Sequence, residues 1–440
     1  MIIAIKSILS GCLVFALFGC SGINNHSDNP PNILIIFVDD VGYGDLGCYG
    51  SPINQTPRLD QLAKEGMRFT NFYAQTVCGP SRSALLTGRY PHRSMGWQMP
   101  AEEITVAQKL KSVGYKTACI GKWDVSDRKA IIPRMPNAKG FDYYWGPLGA
   151  NDGGYVILYE NNDSIGEDHD MAGLSRKYTD RAIDFMSHNR DTSFLLYVAH
   201  TMMHVVIDAS DEFQETSGAG LYGDALRELD YQTGRLLDSL DAFGIRENTL
   251  VLFTSDNGPW SNHKAKRYTV NDVIEYAGNS GPLRGAKGST YEGGFRVPCL
   301  VRWPGVVEEN TESDAIFTTL DLMPTFASLT GYEVPDDRII DGVDQLDLLK
   351  GKNPEGNRKN FLYFYPPMFT SKVSELQAIR KGKWKLRFPD LKHHISYIDE
   401  RGSGEFELYN LREDIGEMDN LADKYPEVVR ELIEEAERIR

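Results

Sequence analysis

From Asn32 the chain reads NILIIFVDD: six consecutive apolar residues, rich in Ile and Val, stopped by the carboxylates of Asp39 and Asp40. A run this short and unbroken reads as a strand buried on both faces of a parallel sheet. The pattern recurs. TLVLFTSDNG ends in Asp256 and Asn257, SFLLYVAHTMMH in His200 and His204, and KTACIGKWD in Lys122 and Asp124. Helical patterns separate these runs, for instance Thr105 to Val113 and Leu221 to Phe243. Such alternation specifies an α/β domain with a large, mostly parallel sheet sandwiched by helices, and ligands of such sheets gather beyond the C-terminal strand ends. Runs that end in charged or imidazole groups therefore define one expected site.

An Asp-Asp pair after a strand is often a turn or a cap, and DNG is a common turn. Convergence changes their meaning. Asp39, Asp40, Asp256 and Asn257 together offer hard oxygen ligands and up to three negative charges, a set that suits Ca²⁺ or Mg²⁺ and fits Zn²⁺ poorly. The 440 residues carry 62 acidic against 47 basic side chains, a formal net charge of -15, which argues against nucleic-acid binding. An anionic ligand must therefore meet a local basic pocket. Arg82, Lys122 and Lys287, the last in LRGAKGSTYEGG, could build one around a tetrahedral oxyanion such as sulfate or phosphate.

TVCGPSRSALLTGR sets Cys78 at the start of a helix, with Pro80 in its first turn and Gly88 as a left-handed terminator. By its residues alone, Cys78 is a thiolate nucleophile at an anion-favouring helix end, half of a disulfide, or a small packing group.

The first 20 residues carry Lys6, an apolar run from Ile8 to Phe18 and then LFGC, a pattern that resembles a bacterial lipoprotein signal cleaved before Cys20 and lipidated on its thiol. The expected organisation is a signal peptide (1–19), a tether (20–30), a large domain (31–344) and a C-terminal subdomain (345–440), lipid-anchored on a bacterial cell envelope, at the outer membrane surface or in the periplasm. The remaining Cys48, Cys78, Cys119 and Cys299 are too few for a disulfide scaffold. Near the C-terminus AIRKGKWKLRF alternates as a strand does, and Val428, Leu432, Ile433 and Ala436 recur at helical spacing, so a small sheet capped by an amphipathic helix is expected.

CGPSRSALLTGR resembles the sulfatase signature, Cys-x-Pro-Ser-Arg followed by Thr-Gly-Arg. FVDDVGYGDLGCYG, GYKTACIGKWD, FLLYVAHTMMH, TSDNG and GAKGSTYEGGFRVP resemble the flanking motifs of the type I, formylglycine-dependent sulfatases of the alkaline phosphatase superfamily, in their known order, and the mid-chain is closest to arylsulfatase A-like members. LQAIRKGKWKLRF and FELYNLREDIGEMDNL are similar to that family's small C-terminal antiparallel sheet and helix. The resemblance implies an alkaline phosphatase-like fold and a sulfuric ester hydrolase. It implies that a formylglycine-generating or anaerobic sulfatase-maturating enzyme converts Cys78 to Cα-formylglycine, whose hydrate attacks sulfur. Asp39, Asp40, Asp256, Asn257 and residue 78 would hold Ca²⁺, or Mg²⁺. Arg82 would hold the hydrate, Lys122 and Lys287 would bind sulfate oxygens, and His204 with Lys287 would protonate the departing alcohol.

Two departures from the family pattern stand out. GKWD puts Asp124 where the family has a histidine, so Asp124 is either the elimination base or a structural group whose role passes to a nearby histidine, with His200 and His263 as candidates. MHVV replaces the usual Pro-His-x-Pro around His204. PWSNHKAKRYTVNDVIEYAGNSGP, which contains His263, is either a pocket wall or a solvated loop, and Asn151 and Asp152 are candidate substrate-binding groups. Arg380 to Lys385 could also shape the pocket. The expected substrate is a sulfated carbohydrate, met at a chain end. The alternatives are a phosphonate monoester or phosphodiester hydrolase, and a sulfatase-like glycan-binding lipoprotein that has lost turnover.

Overall fold

The computed structural model describes residues 30–260, 278–365, 375–389 and 403–439. The signal sequence with Cys20, and His263, lie outside the described residues. The apolar runs become strands of a ten-stranded sheet: β1 (Asn32–Val38), β2 (Met67–Phe69), β3 (Lys116–Gly121), β4 (Tyr143–Pro147), β5 (Val156–Glu160), β6 (Asp163–Asp168), β7 (Phe194–Ala199), β8 (Thr249–Ser255), β9 (Cys299–Arg302) and β10 (Thr311–Ser313). Their spatial order is β10-β2-β9-β8-β1-β7-β3-β4-β5-β6. The middle strands β8, β1, β7, β3 and β4 are parallel, and β9, β5 and β6 add antiparallel pairings at the margins.

Alternation along β1 divides the core into two layers, because successive side chains point to opposite faces. Ile33, Ile35 and Phe37 pack with Leu85 and Leu86 of helix α1 (Cys78–Thr87). Leu34, Ile36 and Val38 pack with Leu174 and Tyr178 of α2 (Leu174–Asn189) and Leu226 and Leu229 of α3 (Gly220–Ala242). Among the described residues no helix is long and apolar enough to cross a membrane, and Cys48, Cys78, Cys119 and Cys299 are free thiols.

A second, four-stranded antiparallel sheet follows, β11 (Asn360–Tyr365), β12 (Glu375–Lys381), β13 (Trp384–Arg387) and β14 (Glu407–Asn410) in sequential order, covered by α4 (Pro426–Ile439) through Leu432 and Ala436. AIRKGKWKLRF is here two strands rather than one, since Gly382 at φ 57 turns the chain back and Lys381 pairs with Trp384. This sheet meets the large domain through buried Glu292, which accepts hydrogen bonds from Tyr73 (2.5 Å), Tyr363 (2.6 Å) and Lys385 (3.0 Å). Arg380 bonds to Asn71 in the same seam. Arg380 and Lys385 thus brace the seam between the two units.

Candidate active site

Strand register brings the polar ends together. Val38 pairs with Ser255, and Phe37 and Gly121 both pair with Ala199, so Asp39, Asp256, His200 and Lys122 leave the sheet at one level. From there α1 supplies Cys78 and Arg82, both buried. The helix ends as its sequence expects, with Gly88 at φ 68 donating to the Ala84 carbonyl. Gly79 is required for a different reason: a Cβ there would lie 2.2 Å from the Trp97 ring.

Around the Cys78 sulfur, Asp39 Oδ1 is at 3.5 Å and Lys287 Nζ at 3.3 Å. Lys287 also reaches Asp40 (2.5 Å), and Lys122 Nζ reaches Asp39 Oδ2 (2.6 Å). Arg82 donates to Asp39 (3.1 Å), to Asp256 (2.8 Å) and to the Lys122 carbonyl (3.0 Å), which ties three strand ends to the helix. Asp40 takes a left-handed φ of 57, a strained conformation for a non-glycine residue and one that recurs at functional sites.

The donor set fits a divalent cation. Ligand atoms of Asp39, Asp40, Cys78 and Asp256 all lie within 4.8 Å of one another. Asn257 donates its amide nitrogen to Asp40 (2.6 Å), which leaves Asn257 Oδ1, like Asp40 Oδ2, buried without a hydrogen-bond partner. Burial, with the Asp39 and Asp256 charges, pushes the Asp40 carboxyl up to about 7 against the pull of Lys287. Asp256 is pushed up by burial and then by Asp39. Asp39 differs: burial is overcome by Lys122, His204, Arg82 and Lys287, which hold it well below the usual carboxylate range. Carboxylates that resist joint ionisation are relieved by a metal ion.

The same environment decides among the readings of Cys78. Burial, then the charges of Asp256 and Asp39, push its thiol well above the ordinary value despite Lys122 and Lys287. A raised thiol disfavours the thiolate reading, and Cys78 is a free cysteine, which sets the disulfide reading aside.

His204 lies on the opposite flank. Its Nδ1 donates to the Val205 carbonyl (2.6 Å), its ring meets Trp260 edge-on at 5.8 Å, and its Nε2 is 3.8 Å from Asp152 Oδ1. Lys287 sits 5.2 Å from the centre of the same Trp260 ring. Burial, then Lys287 and Lys122, lower the His204 pKa to about 3. Asp152 is half-exposed at the rim, whereas Asn151 is buried and donates to the carbonyls of His204 (3.3 Å) and Val206 (2.8 Å). Asn151 thus supports the His204 loop instead of meeting solvent. His200 is buried against Tyr178, with both ring nitrogens lacking a hydrogen-bond partner.

Asp124 is enclosed. Its carboxylate accepts from Trp97 Nε1 (3.1 Å) and Arg128 Nε (2.9 Å) and lies 3.7 Å from Lys122, while Arg128 also binds Asp152 (2.6 Å). Trp97 and Arg128 are site residues that the sequence reading does not name, whereas Trp260 belongs to the PWSNHKAKRYTVNDVIEYAGNSGP segment read there as either a pocket wall or a solvated loop. The Asp124 to Arg128 spacing is one available signal, but that of Trp97 exists only in three dimensions.

The family model described as Sulfatase matches residues 31–332, and one described as N-sulphoglucosamine sulphohydrolase, C-terminal, matches 286–440. Human arylsulfatase A is 38% identical over 399 residues, covering 82% of this chain and 75% of that protein. Mouse N-acetylgalactosamine-6-sulfatase is 34% identical, with coverage of 81% and 71%. A structure from work on glycosaminoglycan metabolism by Bacteroides thetaiotaomicron superposes with a TM-score of 0.81 at 28% identity, over 93% of this chain and 99% of that one. The complex of Ps i-CgsB with k-i-k-neocarrahexaose gives a TM-score of 0.77 at 28% identity, over 93% and 92%. With the signature cysteine, the acidic cluster and the flanking lysines gathered at one sheet edge, the chain belongs to the sulfatase family, arylsulfatase A-like, and is a sulfuric ester hydrolase.

Proposed function

We propose that this protein removes sulfate from a sulfated carbohydrate at a chain end, with residue 78 as Cα-formylglycine and Ca²⁺ held by Asp39, Asp40, Asp256 and Asn257. The observation that carries the reading is the buried cluster of these oxygens around the Cys78 side chain, with two of its oxygens unpartnered. The carbohydrate class is supported by N-acetylgalactosamine-6-sulfatase among the relatives and by the neocarrahexaose complex.

The hydrated aldehyde would supply the attacking oxygen, and a cation held by Asp39, Asp40, Asp256 and Asn257 would supply Lewis acidity beside it. The chain's own residues do the rest. Arg82 locks Asp39 and Asp256 in place, and Lys122 and Lys287 set two ammonium groups beside residue 78 to meet the sulfate oxygens. The bond from His204 Nδ1 to the Val205 carbonyl fixes the ring so that Nε2, 3.8 Å from Asp152 Oδ1, can carry a proton to the departing alcohol oxygen. Burial and then Lys287 and Lys122 lower the His204 pKa, and a bound sulfate would offset the part due to the two lysines. Asp124, saturated by Trp97 and Arg128, acts as an anchor in this scheme.

Maturation of Cys78 requires a formylglycine-generating or anaerobic sulfatase-maturating partner. The Cys20 lipid anchor and the envelope location rest on the N-terminal pattern; partition of the natively produced protein into a detergent phase, lost in Cys20→Ala, tests them. The function is tested by mass spectrometry of the peptide holding residue 78 and by release of inorganic sulfate from defined sulfated saccharides. An unmodified thiol, or faster turnover of phosphodiesters or phosphonate monoesters than of any sulfate ester, overturns the reading. Saccharide binding without sulfate release by fully converted protein favours a glycan-binding role.

A further inference from the structure

Past Asp152 the chain makes a tight turn, with Gly154 at φ 71 donating to the Asn151 carbonyl (2.9 Å), and then enters β5. Strand β5 runs antiparallel to β4, with Leu158 opposite Pro147, and Val156 pairs with Asp168 of β6. Tyr155 and His169 therefore sit side by side just beyond paired strand ends, on the sheet edge that carries the catalytic cluster. Their rings are 5.5 Å apart with 30° between planes. A Cβ added at Gly153 would come within 2.9 Å of Tyr155 Cε1. The ring thus packs beside His169 and Gly153, yet Tyr155 is 40% exposed.

Its neighbour Asp152 faces His204 Nε2, where the departing alcohol must stand. Tyr155 follows Asp152 by three residues and stands on the same sheet edge. Pre-positioned tyrosine rings bind apolar faces at low entropic cost, and a pyranose presents such a face through its C–H groups. We infer that Tyr155, steadied by His169 and Gly153, is a stacking platform for the pyranose ring next beyond the one that bears the sulfate ester, so that it sets preference for oligosaccharides over monosaccharides. This rests on the carbohydrate reading above.

The experiment compares mature wild type with Tyr155→Ala and Tyr155→Phe on a sulfated oligosaccharide that the wild type turns over, on its sulfated monosaccharide and on a small aryl sulfate, after thermal melts confirm folding. In Tyr155→Ala the KM for the oligosaccharide rises about three- to tenfold, as loss of one ring stack implies, with kcat and both small substrates unchanged. Tyr155→Phe keeps the wild-type KM, because the platform uses the ring face. An unchanged oligosaccharide KM in Tyr155→Ala overturns the platform, as does equal loss in Tyr155→Phe or an equal effect on all three substrates. Aryl sulfate turnover by wild type with no saccharide turned over is a separate outcome: it overturns the carbohydrate reading, and the platform with it.

Discussion

Asp124 shows how one residue changes role through its neighbours. Its sequence position leaves it either the elimination base or a structural group; Trp97 and Arg128 donate to its oxygens, and its φ of 54 holds it in the strained left-handed region. A residue that only anchors Arg128 and Lys122 alters rate without contributing a titration. Asp124→Asn is therefore expected to lower kcat about tenfold, the scale of one charged hydrogen bond, while the pH-rate profile keeps its midpoints. A limb that disappears in the variant would make Asp124 the base. Gly79 is a second residue-scale case. Because a Cβ meets the Trp97 ring, Gly79→Ala should cost about 1–3 kcal/mol of stability, read as a lower denaturant midpoint, and should reduce kcat as Trp97 shifts away from Asp124.

At the scale of elements, the seam between the two sheets contains a titrating device. Glu292 and Glu417 are both buried about Lys385, and Glu417 also accepts from the Glu292 backbone N–H (2.6 Å). Burial pushes the Glu417 carboxyl up to about 7, helped by the Glu292 charge and opposed by Lys385. Since the folded-state value exceeds the ordinary 4.5, the folded protein binds a proton that the unfolded chain releases between those two values. The Glu417 contribution is thus fully present below about pH 4.5 and is lost as pH rises through 7. In Glu417→Gln that dependence should vanish: the melting temperature of wild type minus variant is expected to be larger at pH 5 than at pH 8, and a constant difference would refute the assignment.

For the whole molecule, the acidic cluster joins strands that are far apart in sequence, so a cation bound there stabilises the fold as a unit. Calcium at a hundred times its dissociation constant is worth about 2.7 kcal/mol, a rise of a few degrees in the melting temperature. Chelation should reverse it, and Asp40→Asn should abolish it. Because the Asp40 carboxyl stands near 7 without the ion, protons compete with calcium, and the calcium-induced shift is expected to shrink from pH 8 to pH 6. A shift independent of pH would show that Asp40 is not a ligand.

The sequence by itself determined what short-range chemistry can determine. Strands β1, β3, β7 and β8 are legible because burial on both faces demands an unbroken apolar run, and α1 because its terminating glycine is local. Asp39, Asp40, Asp256 and Asn257, with Cys78, Arg82, Lys122, His204 and Lys287, are legible as candidates from the same strand ends and motifs. Only the tertiary structure decided the rest. Strands β2, β9 and β10 span three or four residues and exist through pairing with partners up to 244 positions away, a distance no local pattern encodes. The lock on Asp124, the burial of Asn151 and the pairing of the Tyr155 and His169 rings likewise come from side chains that meet only when the sheet edge is assembled. Patterning reports which residues must be buried, whereas the partner each polar group finds is set by packing.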